Sequence, residues 1–188
     1  RHPGMYQREI VTTHPVIEKI MEAWRDEIGD DYPAIRGHNY RMFNFCLALT
    51  DPEDEDAGKK AAIAAAWHDL GIWTHDTFNY LPPSRAQAVA YLEETGREAW
   101  SREVSDMVMF HHKLTPCRGE RARLVEAFRR ADLVDLSLGL VRSGLDRAFV
   151  REVQAAFPNA GFHARVTRLA LVWALRHPLN PVPFIRQR

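Results

Sequence analysis

The stretch Ala61-Ala62-Ile63-Ala64-Ala65-Ala66-Trp67-His68-Asp69-Leu70-Gly71-Ile72-Trp73 decides the fold of this chain. Its first residues are good helix formers that run into an adjacent imidazole–carboxylate pair, and Gly71 reads as the helix stop. Ala61, Ala64 and Ala65 share a helical face with His68, so the wall leading to the pair is small-sided and admits close helix packing. A histidine and an aspartate at the buried end of an apolar helix must be paired or must hold a cation. In isolation such a pair is an ordinary helix end with its carboxylate in water. The rest of the chain argues otherwise.

At 188 residues and 46% hydrophobic content, positions 1–188 read as one globular domain with a real core. The formal net charge is zero, with 25 basic and 25 acidic residues, so no basic footprint for nucleic acid or an anionic membrane surface exists. No apolar run is long enough to span a bilayer, and no signal-peptide pattern opens the sequence. Cys46 and Cys117 lie in separate segments and suggest a reducing compartment, hence a cytoplasmic location.

Upstream of the central stretch, Thr13-His14-Pro15 reads as a helix start, and Val16, Ile20, Ala23, Trp24 and Ile28 follow at helical spacing. A second helix over 33–49 carries Ile35, His38, Met42, Phe45 and Leu49 on one stripe, so His38 faces the core. Arg36 and Arg41 flank that stripe, and an arginine there needs a carboxylate or a phosphate to hold. The acidic run 51–56 reads as a solvated connection.

Downstream, Ser84 reads as the cap of a helix that ends near Thr95. A helix over 99–112 places Trp100, Val104, Met107, Val108 and His111 inward. His112 then points about a hundred degrees away. Lys113 opens a loop that runs to Gly119. A helix over 120–141 puts Val125, Phe128, Asp132, Leu136 and Gly139 on one face, where an unpaired Asp132 would be very costly, and Asp135 one turn on lines the same side. Two more helices, 146–157 and 161–176, precede a tail too rich in proline for a helix. No alternating strand pattern competes, and the expected class is all-α.

His38, His68, Asp69 and Asp132 are four polar residues on core-facing or helix-end positions of three helices. Two imidazoles and two carboxylates form a ligand set for one divalent transition metal such as Mn, Fe, Co, Ni or Zn. In their order and spacing they resemble the HD superfamily of metal-dependent phosphohydrolases over residues 33–136. The stretch His38-Asn39-Tyr40-Arg41-Met42 is similar to the first-histidine helix of its nucleotidase-like members, and Ala131-Asp132-Leu133-Val134-Asp135 to the final-aspartate helix. The resemblance implies an HD helical bundle, a metal held by His38, His68, Asp69 and Asp132, and hydrolysis of a small phosphorylated metabolite or nucleotide.

The chain also departs from that pattern. Ile72 stands where nucleotidase-like members carry a glutamate and other branches a lysine. Branches with two metals add a histidine between the His-Asp pair and a later histidine. His111 could be the later ligand, but the 84–95 helix has no histidine and His75 follows His68 too soon to replace it, which favours one metal per chain. On this basis Asp69, His111 and His112 are the expected catalytic groups, with His75 as a further candidate acid. Arg41, Lys113 and Arg36 are the expected phosphate holders, and Arg118 reads as surface. The alternatives within the same resemblance are a di-iron oxygenase, a cyanamide-hydratase-like lyase and a non-catalytic ligand-binding protein. The expected partner is a small molecule, and a homo-oligomer stays open.

Overall fold

The structure is a computed structural model and describes residues 9–119 and 122–185. These residues form helices with no strand: α1 (Pro15–Ala23), α2 (Arg25–Ile28), α3 (Tyr32–Leu49), α4 (Ala57–Trp67), α5 (Gly71–Thr74), α6 (Leu81–Glu94), α7 (Ser101–Phe110), α8 (Arg123–Leu136), α9 (Arg147–Ala156) and α10 (Phe162–Arg176). Single turns of 3-10 helix join some of them, including Pro183–Ile185 in the tail. No helix among the described residues is long and apolar enough to cross a membrane.

The bundle is arranged around α3, which lies along α8 and crosses α4. From Tyr32 to Ala48 only Pro33 and Arg36 escape burial, so α3 is surrounded on every side. The alanines of α4 explain how neighbours fit so closely: Ala61, Ala62, Ala64 and Ala65 are all at 0% exposure. A side chain ending at Cβ lets α1, α3 and α7 approach α4 without leaving voids. Most apolar residues join one large cluster. Ile72, Phe78, Tyr80 and Leu81 form a smaller one, against which Trp173 and Phe184 pack.

Several boundaries differ from the sequence expectation, each for a local reason. His14 is the cap of α1, its Nδ1 accepting the Val16 N–H at 3.3 Å. The first helix breaks at Trp24 (φ −116°, ψ 16°), whose ring sits edge-on to Trp67. Gly71 does not stop α4 in a left-handed turn; it opens α5. A Cβ there would lie 2.7 Å from both Ser84 Oγ and the Tyr80 carbonyl oxygen, so the glycine is needed for close approach. Ser84 accordingly lies inside α6 and accepts the Gly71 N–H at 2.9 Å instead of capping the helix. The α8 helix ends at Leu136, and Gly139 (φ 79°) donates back to the Val134 carbonyl at 2.8 Å in a Schellman turn. Gly139 is therefore not on the α8 face, and the expected start of that helix at residue 120 lies outside the described residues.

Candidate metal centre

α3, α4 and α8 deliver His38, the His68-Asp69 pair and Asp132 to one buried point, with exposures between 0 and 6%. The α7 end adds His111, 2% exposed. Each of three imidazoles is anchored through Nδ1. His38 Nδ1 donates to Asp135 Oδ2 at 2.6 Å, His68 Nδ1 to the Ala65 carbonyl at 2.9 Å, and His111 Nδ1 to the Val108 carbonyl at 2.7 Å. Carboxylates and carbonyls only accept, so these contacts place the proton on Nδ1 and leave Nε2 as a lone pair in each neutral ring.

Those lone pairs converge. His38 Nε2 and His68 Nε2 lie 3.0 Å apart, and Asp69 Oδ2 is 3.4 Å from the first and 3.3 Å from the second. Metal–ligand bonds of about 2.1 Å give ligand-to-ligand edges of about 3.0 to 3.4 Å. The observed triangle has those edges. Asp132 groups with His38 and His68, the ligand atoms all within 4.8 Å of one another, and its Oδ1 has no hydrogen-bond partner. Asp69 Oδ1 and His111 Nε2 are likewise buried and unpartnered, 3.5 Å from each other. Several acceptors facing one another without a donor are costly unless a cation or its water lies between them. These buried histidines and carboxylates could hold a metal ion.

Without a cation, a proton takes part of that role. Burial opposes charge on His38, but its hydrogen bonds to Asp135 and then Asp69 overcome this and raise its pKa to about 9. Burial, followed by the neighbouring His112 charge, lowers His111 to about 4. Asp69 is held well below the usual carboxylate range: burial acts against it, but His68, His111 and His38 outweigh burial. The raised His38 pKa stabilises metal-free protein fully below pH 6.5 and is lost as pH rises through about 9. The depressed His111 pKa has the other sign: stability grows as pH climbs from about 4 to 6.5 and is level above. Urea midpoints of chelator-treated protein should therefore peak near pH 6.5 and fall toward pH 9. A flat midpoint over that alkaline range would refute the His38–Asp135–Asp69 arrangement.

His112 requires a correction. α7 stops at Phe110, so the helical wheel no longer applies and the ring turns toward Asp132, with Nδ1 at 2.9 Å from Oδ2. Its Nε2 meets Tyr80 Oη at 2.7 Å. Both ring nitrogens are thus engaged, and His112 holds Asp132 in place. Burial works against the His112 imidazolium, but the Asp132 carboxylate prevails and raises its pKa.

Two expected phosphate holders are placed elsewhere. Arg41 is 2% exposed and forks onto Asp135, Nε to Oδ1 at 2.5 Å and Nη2 to Oδ2 at 3.0 Å, while Nη1 donates to the Phe157 and Pro158 carbonyls. It braces the carboxylate that anchors His38. Arg36 pairs with Glu18 and lies over the Tyr40 ring, away from the centre. His75 is exposed and bonds Thr74, and Arg118 is exposed as expected. Lys113 is exposed at the rim of a cleft of about 610 Å³ lined by His111, His112 and Asp132.

Sequence reasoning missed three supports. Phe162 stacks on the His38 ring at 4.0 Å, Tyr80 holds His112, and His163 Nε2 lies 3.0 Å from the Asp135 carbonyl. None of the three carries a local sequence signal, whereas Asp135 was legible from its i, i+3 relation to Asp132. No family model matches this chain, and neither does any curated protein or solved structure.

Proposed function

We propose that the chain is a metal-dependent phosphohydrolase of the HD type acting on a small phosphomonoester. The observation that carries this is the convergence of the His38, His68 and His111 Nε2 atoms, each ring anchored through Nδ1, with the Asp69 and Asp132 carboxylates, of which His111 and Asp132 also line an open cleft. His38, His68, Asp69 and Asp132 would hold a divalent ion of the Mn, Fe, Co, Ni or Zn type. When bound, such an ion neutralises charge on a phosphoryl oxygen and lowers the pKa of water.

The protein's own groups supply the remaining steps. Asp69 Oδ1 and His111 Nε2 are free acceptors that take the proton of the attacking water. His112 Nε2 donates to Tyr80 Oη, which lines the cleft and passes its own proton to the leaving oxygen as it takes the one from His112. Asp132 on the other ring nitrogen stabilises the imidazolium. Lys113 at the rim draws the phosphate in. With manganese-loaded protein and a panel of monoesters, Asp132→Ala is expected to lower kcat/KM by about a thousandfold or more. Wild type that cleaves no ester in the panel would remove this function.

A second function, an oxygen-activating di-iron centre, is favoured by the three orphaned buried acceptors Asp69 Oδ1, His111 Nε2 and Asp132 Oδ1. They offer partners for a second cation beside the first. About two irons per chain on purification, with oxygen uptake on turnover, would decide for it.

A further inference from the structure

We infer that the organic part of the substrate is apolar, an alkyl or aryl group in preference to a nucleoside or a sugar. The phosphate in this inference rests on the function proposed above, whereas the apolar group rests on the cleft walls alone. Above the His111–His112–Asp132 floor the walls are made by Phe78, Tyr80, Leu133, Val166, Leu171 and Phe184. They come from the segment before α6, from α8, from α10 and from the tail turn, so distant parts of the chain agree on one chemistry. Leu133 and Leu171 are 39% and 62% exposed, large apolar side chains at the opening of a concave site. Contiguous exposed apolar surface around a cleft marks a binding surface.

The polar inventory points the same way. Arg129 lines the cleft, but its Nε and Nη2 are held by both Glu126 oxygens and its Nη1 by the Lys113 carbonyl. Lys113 thus supplies charge for a single phosphate at the rim. Thr167 offers one hydroxyl on the α10 side; elsewhere along the apolar walls sugar hydroxyls would lose their water without gaining partners. Ile72 packs with Phe78, Tyr80 and Leu81 behind this wall.

The test uses metal-loaded full chain with an alkylphosphonate series from methyl to octyl, read by calorimetric binding, and the matching alkyl phosphates, read by phosphate release. Affinity is expected to rise about fourfold per methylene until the cleft is filled. Leu171→Asp should flatten this series, and since Leu171 is exposed the change does not touch the core. Affinity independent of chain length, or tighter binding of adenosine monophosphate than of hexylphosphonate, would overturn the inference. Turnover separates it from the proposed function. A binding series without phosphate release keeps the apolar cleft and removes the phosphohydrolase. Cleavage of nucleoside monophosphates without a binding series keeps the phosphohydrolase and removes the apolar cleft.

Discussion

Asp69→Ala is expected to abolish retention of the divalent cation and, with it, every effect of a chelator on the melting temperature. The two oxygens of Asp69 face both sides of the centre: Oδ2 lies 3.4 and 3.3 Å from the Nε2 atoms of His38 and His68, and Oδ1 lies 3.5 Å from that of His111. A cation held there ties α3 and α8 to the end of α4, and it binds the folded chain alone because the unfolded chain cannot assemble the set. Chelation of loaded wild type should lower the melting temperature by about 5 to 10 °C, from the linkage of a ligand at about a hundred times its dissociation constant. In Asp69→Ala the scans with and without chelator should superimpose. Asp69→Asn keeps the shape of the side chain but not its charge, and should behave alike. A variant that still purifies with stoichiometric metal would show that the centre lies elsewhere.

The second large effect concerns a residue that touches no substrate. Asp135→Ala should destabilise the fold by about 3 to 5 kcal/mol, the range for breaking a buried ion pair from one side. It would leave the Arg41 guanidinium, 2% exposed, with two backbone carbonyls and no carboxylate, and would free His38 Nδ1. Burial opposes the Asp135 charge, but the His38 and Arg41 hydrogen bonds hold its pKa down to about 2. Arg41→Met should also destabilise, and the double variant Arg41→Met with Asp135→Leu should lose less than the two single losses combined, since no charge is then stranded. Denaturant unfolding of the three variants reads this directly. If Arg41→Met unfolds like wild type but binds phosphate more weakly, Arg41 belongs to the substrate after all.

Helical periodicity by itself determined much of this protein. The alanines of 61–66 announced a helix buried by close neighbours, and the stripe through Ile35, His38 and Met42 turned His38 inward. Asp132 was legible because a carboxylate between Val125, Phe128 and Leu136 had no other reason to face the core, although Leu136 itself is 36% exposed where the helix ends. Spacing of three and four reports which face of a helix is apolar, and polar residues on that face stand out for that reason.

What that face meets was decided by tertiary packing. Arg41 pairs with Asp135, 94 residues away, and no local pattern separates such an arginine from one awaiting a phosphate. His112 faces the site because α7 ends two residues before it, a choice made at the loop and not in the helix. Gly71 reads as a stop in any helical pattern, yet it is required by the contact of the Ser84 hydroxyl and the Tyr80 carbonyl with its backbone. Phe184 reaches the His112 ring at 4.8 Å from a tail without periodicity. The physical reason is common to all of these: sequence spacing encodes direction around one helix axis, whereas partners are set by how separate helices cross and where each one ends.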